Sequence, residues 1–275
     1  MKQAAFIGAG NMGAALAQGA CRALGPEQIL VCDHIPAKAA ALAEKLGCTA
    51  AEDNPAAVRE AQYIFLCVKP HLLADVLKDL CPTLEACRKA GEEKVLVSIA
   101  AGVQTKTLQE YVSTLSSQIP ILRVMPNTCA AIGQGMLALT APAGTPEPYW
   151  AGVEAILAQS GRVERIEEHL MDQFTAVAGC GPAYVYQLIE ALADGGVLVG
   201  LPRPQAQVYA AQMVLGAAAM VLETGEHPGA LKDAVCSPGG STIAGVAALE
   251  AGGFRTAAIQ AVEAAYRKNI ELGRQ

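Results

Sequence analysis

AAFIGAGNMGAALAQGACRAL, residues 4–24, decides the fold. Its first half, AAFIGAG, is a short β-favouring run that enters a glycine turn. Its second half, from about Met12 to Leu24, repeats apolar and small residues at helical spacing. Gly8, Gly10 and Gly13 between them make a G-x-G-x-x-G pattern, which is weak evidence alone and much stronger between a strand and a helix. Gly8 allows a tight turn, Gly10 lets backbone approach a ligand, and Gly13 lets helix and strand pack closely. The N–H groups and positive dipole end of the helix then suit a pyrophosphate. Gly8, Gly10, Asn11, Met12 and Gly13 are the expected contacts of a nicotinamide dinucleotide.

Reading outward, the alternation continues. QILVCD (28–33), YIFLCV (63–68), KVLVSIA (94–100), PILRVMPN (120–127) and GMLALT (135–140) are candidate strands. Helical patterns at about 37–46, 71–80 and 105–111 separate the earlier ones. YIFLCV is continuously apolar, as in a strand covered on both faces. The β-α-β-α order predicts an α/β fold with a parallel, doubly wound sheet. Gly144, Pro146 and Pro148 break the pattern before a helix near 150–158, and GRVERI (161–166) is a candidate edge strand. Beyond Glu168 the strand signal ends, and Ala-rich helices are expected near 182–199, 204–224, 241–251 and 254–272. The chain therefore divides into residues 1–165, a dinucleotide-binding domain, and 166–275, an all-helical domain.

Composition excludes several classes. Hydrophobic residues are 52% and charged residues 17% of 275, so a large core is available and disorder is not expected. A spread net charge of −6 argues against nucleic acid or anionic lipid as partner. The nine cysteines are odd in number, lack a C-x-x-C pair and mostly lie in apolar runs, which fits reduced core thiols in a reducing, cytoplasmic compartment. No ligand cluster predicts a metal site. No signal peptide is expected ahead of so early a strand. The apolar stretch 208–222 is flanked and interrupted by Gln205, Gln207 and Gln212 and reads as a buried helix rather than a membrane span. AAQMVLGAAAMVL is apolar nearly all round, more than the helical half can bury by itself, so a homodimer is expected.

Asp33 ends the second strand about twenty residues past the loop, where a ribose-binding acid belongs. Such a carboxylate favours NADH, while His34 and Lys38 could offset its repulsion of a 2′-phosphate and admit NADPH; a helix N-cap is the plainer reading. Lys69-Pro70, Ala100-Ala101-Gly102 and Pro126-Asn127 follow strands and share the edge where cofactor and substrate bind in such sheets, or they are ordinary strand-to-helix punctuation.

Residues 233–246, DAVCSPGGSTIAGV, place backbone N–H groups and hydroxyls at a helix start with no cation beside them. That composition suits a small anion. GCGPAYVYQLIEALADGG has no lysine in its first helical turns, where two-domain hydroxyacid dehydrogenases carry one. An imine, whose protonated form accepts hydride without a strong acid, fits better than a ketone.

The stretch DAVCSPGGSTIAGVAALEAGGFRTAAIQAVEAAYRK, with GCGPAYVYQLIEALADGGVLVGLPR, FLCVKP, SIAAGV and RVMPNT, resembles the Δ1-pyrroline-5-carboxylate reductase family over nearly the whole chain. The resemblance implies reduction of the cyclic imine 1-pyrroline-5-carboxylate to L-proline by NADPH or NADH, the last step of proline synthesis. It implies a Rossmann-type domain followed by a helical dimerisation domain, with a homodimer and sometimes a decamer of five dimers. Ser237, Gly239, Gly240, Ser241 and Thr242 would bind substrate, with the Thr242 hydroxyl near the ring nitrogen as donor and Ser237 near the carboxylate. Lys69, Pro70, Ala100, Pro126 and Asn127 would line the nicotinamide end. Cys180 and Cys236 stand where the family often has a hydroxyl or small residue, and receive no chemistry. A related imine or 2-hydroxyacid reductase, or a nucleotide sensor without catalysis, are the rival readings.

Overall fold

The apolar runs become strands because residues covered on both faces need no polar alternation. The computed structural model describes residues 1–116 and 118–273. In order, β1 (Lys2–Ile7), α1 (Asn11–Leu24), β2 (Ile29–Cys32), α2 (Pro36–Leu46), β3 (Thr49–Ala50), α3 (Asn54–Glu60), β4 (Ala61–Leu66), α4 (Leu73–Lys89), β5 (Val95–Ser98), α5 (Thr105–Tyr111), β6 (Ile121–Met125), β7 (Gly135–Thr140), α6 (Glu147–Leu157) and β8 (Gly161–Arg165) build the sheet half. The helical half follows as α7 (Met171–Phe174), a π-helical turn Thr175–Gly179, α8 (Gly181–Leu198), α9 (Arg203–Thr224), α10 (Pro228–Ala234), α11 (Ser241–Ala251) and α12 (Phe254–Gly273).

The strand order is β3-β2-β1-β4-β5-β6-β7-β8. Succession reverses between β1 and β4, so the glycine turn after β1 opens at the switch point where doubly wound sheets bind ligands. Two apolar layers cover the sheet. Phe6, Phe65, Val97 and Leu122 pack with Leu16, Ala17 and Ala20 of α1 and Ile156 of α6 on one face. Ile7, Ile64, Leu66 and Leu96 pack with Leu73, Leu77, Leu80 and Leu84 of α4 on the other. Phe6 and Phe65, neighbours in register, stack with ring centroids 4.6 Å apart.

Several expectations are revised. The sheet is not wholly parallel: β7 runs antiparallel to β6, and β8 runs parallel to β7. The physical reason is length, since residues 126–134 cannot hold the crossover a parallel return needs. Pro148 does not break α6 but lies in its first turn, where its missing N–H has no partner to lose. β3, α3, α7 and α10 were not anticipated; α3 is announced only by Asp53, whose side chain accepts from the Ala56 N–H at 2.6 Å.

Contacts divide the chain into two compact units, Met1–Gly179 with the C-terminal residues from Tyr266, and Cys180–Ala265. The pattern change at 165/166 therefore precedes the contact division. The second unit has a small core of its own, Ala193, Ala206 and Ala210 with Ile189 and Val197. Most of its large apolar side chains point outward, including Leu198 at 87% and Leu222 at 72% exposure. Exposed apolar surface on that scale marks an interaction face.

Candidate active site

The glycine turn has the shape its spacing demands. Gly8 has φ +112°, and a Cβ there would lie 2.5 Å from the Cys67 carbonyl oxygen. A Cβ on Gly13 would lie 2.0 Å from the Gly8 carbonyl oxygen. Gly10 is different: a Cβ there would meet nothing within 4 Å. Gly10 is also the N-cap of α1, and no side chain bonds the first amides of the helix. An open space thus lies beside unpartnered N–H groups at the positive end of a 14-residue helix. A pyrophosphate fits that cradle. Gly10 and Asn11 are exposed, Met12 is half-buried and Gly13 is buried.

Asp33 is held by the backbone around this cradle. Its Oδ2 accepts from the Ala9 N–H at 2.8 Å, and its Oδ1 accepts from the Ile35 N–H at 2.9 Å. His34 Nδ1 lies 3.0 Å from Oδ1. The Asp33 carboxylate therefore ties the glycine turn to the β2–α2 turn; it is not the N-cap of α2, which is Ile35. Oδ2, with Ala9 as its one partner, keeps a second acceptor site for a hydroxyl. Two thiols flank the turn in the protonated range: burial pushes Cys67 upward, and burial with the Asp53 and Asp33 charges pushes Cys32 up to about 11.

Lys69, Pro70, Ala100 and Asn127 all follow the carboxyl ends of β4, β5 and β6, the same edge as the glycine turn. Lys69 and Pro70 are exposed. Ala100 is buried, and its N–H donates to Ser98 Oγ at 3.3 Å. Asn127 is buried and internally engaged: its Oδ1 accepts from the Cys129 N–H, and its Nδ2 donates to the Ala178 carbonyl at 2.9 Å. Asn127 thus fastens the end of the π-helical turn to the β6 edge.

A polar group around the buried Arg123 escaped the sequence reading. Glu168 accepts from the Thr105 N–H at 2.7 Å and from Thr105 Oγ1 at 2.5 Å, and it lies 3.5 Å from Arg123 Nη1. Arg123 is 3% exposed, and its Nε has no hydrogen-bond partner. The available signal was a charged residue inside the apolar strand PILRVMPN, since arginine is almost never fully buried unless paired.

In the second unit, Ser237, Gly239, Gly240, Ser241 and Thr242 form the turn into α11. Gly239 has φ +70°, and Gly240 is the N-cap of α11. No side chain bonds the first α11 amides. A Cβ on Gly240 would lie 2.5 Å from Ser237 Oγ, so the hydroxyl sits directly against the glycine. Ser237, Ser241 and Thr242 are exposed on this chain, and Gly240 is half-buried. The features expected of a small-anion site, unpaired amides and flanking hydroxyls, are present there.

A switch-point cradle followed by a helical unit defines a class, the NAD(P)-dependent oxidoreductases of two-domain build. Residues 3–102 match the family described as NADP oxidoreductase, coenzyme F420-dependent, and residues 168–272 match pyrroline-5-carboxylate reductase dimerisation. A pyrroline-5-carboxylate reductase from Glycine max is 43% identical over 269 residues, covering 97% of this chain and 94% of the relative. A solved pyrroline-5-carboxylate reductase from Coxiella burnetii superposes with a TM-score of 0.88 at 31% identity, covering 98% of each chain. A Plasmodium falciparum pyrroline carboxylate reductase with NADP bound gives 0.85 at 31% identity, covering 99% of this chain and 98% of that one. The chain belongs to the pyrroline-5-carboxylate reductase family. One helix among the described residues, Arg203–Thr224, is long and apolar enough to cross a membrane, and it lies inside the dimerisation match.

Proposed function

We propose that this chain reduces 1-pyrroline-5-carboxylate to L-proline, the closing step of proline biosynthesis, and that its own residues divide the work as follows. Bound NADPH or NADH supplies the hydride. Gly8, Gly10, Asn11, Met12 and Gly13 hold the pyrophosphate through backbone amides. Asp33 keeps the turn in shape and accepts a ribose hydroxyl on its remaining acceptor site. Lys69, Pro70 and Ala100 form the wall at the nicotinamide end, and Asn127 with Pro126 braces it. The α11 amides with Ser237, Gly240 and Ser241 hold the ring carboxylate without a cation. Thr242 donates to the ring nitrogen as the C=N bond becomes a C–N bond, which keeps the proton where the developing amine needs it.

The uncapped start of α11 carries this reading, because its first amides have no side-chain cap and a helix N-terminus of that kind can take an anion in place of the water that otherwise satisfies it. We place the functional boundary at 165/166, two residues before the dimerisation match begins at Glu168. We further propose a homodimer through the outward apolar faces of the helical unit, with a decamer of five dimers as the larger assembly. Nine free cysteines support a cytoplasmic location. The acidic balance, net −6, supports a small-molecule substrate and no nucleic-acid or membrane partner. Absorbance at the reduced-nicotinamide band, followed with the imine and each reduced cofactor in turn, tests the activity. Imine-dependent loss of absorbance is expected; its absence with both cofactors would end the proposal.

A further inference from the structure

We propose that Arg123 and Glu168 are positioning residues for the reduction, fixing the Ala100–Gln104 turn against which the nicotinamide end is placed. The inference rests on the functional reading above, which gives Ala100 to that wall.

The turn leaves β5 and enters α5, and the structure restrains it at three points. At its start, the Ala100 N–H donates to Ser98 Oγ. At its end, Glu168 takes both donors of Thr105, the first residue of α5. At its middle, a Cβ on Gly102 would lie 3.5 Å from the backbone of Gly273, ordinary contact distance, so the end of α12 rests against the turn. Glu168 is the long-range member, 63 residues from Thr105 in sequence. Its own place is set by Arg123, which is aligned with Ser98 on β5 and with Thr140 on β7. Ser98, Arg123 and Thr140 form a buried polar row across three neighbouring strands, at 0%, 3% and 2% exposure.

Stability alone does not explain this row. Burying a guanidinium is costly even when paired, and here Nε stays unsatisfied. Apolar residues of similar volume would serve a core at least as well. What the ion pair adds is a defined geometry at the edge where the hydride is transferred. Two residues beyond Arg123 the strand ends at Met125, and Asn127 ties the β6 edge to Ala178. Arg123 thus links the support of the Ala100 turn to the strand that carries Pro126 and Asn127.

The test compares Glu168→Ala, Glu168→Gln and Arg123→Lys with the wild-type protein. Readouts are thermal midpoint, NADPH dissociation constant, kcat, KM for the imine, and the primary deuterium isotope effect with nicotinamide deuterated at the transferred position. Misplacing a reacting group by about 1 Å costs on the order of 100-fold, so Glu168→Ala should lower kcat by about 10- to 100-fold. NADPH affinity should stay within about threefold, because the pyrophosphate cradle is untouched. The isotope effect should rise as hydride transfer becomes slower than the other steps. Glu168→Gln keeps an acceptor for Thr105 but loses the ion pair with Arg123, and Arg123→Lys keeps the charge but loses the guanidinium geometry, so both should fall between Glu168→Ala and wild type in kcat. A folded Glu168→Ala protein with kcat within about twofold of wild type would refute the proposal. So would a rate loss with an unchanged isotope effect and unrescued by glutamine, the mark of a merely less stable protein. If Glu168→Ala does not fold, Thr105→Val removes only the hydroxyl bond and must show the same direction in kcat and isotope effect for the proposal to stand. A wild-type protein inactive on the imine would overturn both this inference and the functional reading, whereas an active wild type with normal variants overturns this inference alone.

Discussion

The Asp33 carboxylate and the Ala9 backbone N–H are joined by a 2.8 Å hydrogen bond across 24 residues of sequence. The bond makes the acid at the end of β2 a structural part of the glycine turn after β1. Hydrogen bonds to charged groups contribute about 1.5–3 kcal/mol. In Asp33→Asn the amide would turn a donor toward either Ala9 or Ile35, both of which are donors. Affinity for NADH and NADPH should fall together, by about 10- to 100-fold. Fluorescence titration with each cofactor checks this; a loss confined to NADH would show that Asp33 acts on the ribose and not on the turn.

Cofactor choice then falls to charges around the β2–α2 turn. Lys38 is exposed and close in sequence to Asp33. Lys38→Glu should raise KM for NADPH about fivefold more than KM for NADH, the scale of one solvent-exposed charge interaction. The selectivity should fade at high salt. Equal effects on both cofactors would remove Lys38 from the 2′-phosphate site.

Two glycines separate folding from binding. Gly13→Ala drives a Cβ to 2.0 Å from the Gly8 carbonyl oxygen, and overpacking of that kind costs about 1–3 kcal/mol. Gly10→Ala meets nothing within 4 Å and should leave the thermal midpoint unchanged while weakening nucleotide binding at least about tenfold, because the methyl occupies the phosphate space. Thermal melts with and without NADPH distinguish the two. A Gly10→Ala protein that still gains full stability from NADPH would place the pyrophosphate elsewhere.

Thr242→Ala should lower kcat/KM for the imine about 10- to 1000-fold, the range of one lost donor. Its side chain is exposed on this chain, so the isolated fold should not suffer. Steady-state kinetics decide: an unaltered kcat/KM takes Thr242 out of the mechanism.

Acid sensitivity has one legible source away from the site. Arg88 first, then Ser116, hold the Glu85 carboxyl down from 4.5 to about 2. Its folded pKa is depressed, so its contribution is complete above about pH 4.5 and is lost as pH falls through about 2. The difference in thermal midpoint between wild type and Glu85→Gln should be constant from neutral pH down to about 5 and then shrink toward pH 2. A gap that persists at pH 2 would mean that Glu85 stabilises by something other than its charge.

Much of the site was legible because its signals are local. Gly8, Gly10 and Gly13 announce a turn that only glycine can make, and Ser237 through Thr242 announce an uncapped helix start. β4 was visible because a strand buried on both faces shows no polar alternation. Asp33 was expected to meet a ribose; the structure shows its carboxylate bonded to Ala9 and Ile35 on two separate turns, which no local pattern announces. Arg123, a charge in an apolar strand, was passed over, and nothing near it in sequence named Glu168. β3, two residues long, is too short for any periodicity to register.

Residue order alone was enough for the alternation of strands and helices, the glycine turn after β1 and the helical second half, because backbone preference and apolar spacing act over a few residues. Tertiary structure alone decided the antiparallel turn-back of β7, the Asp33–Ala9 bond and the Thr105–Glu168–Arg123 group. Those depend on which distant faces pack and in what register, a choice settled by burial of the whole sheet and carried by no short stretch of chain.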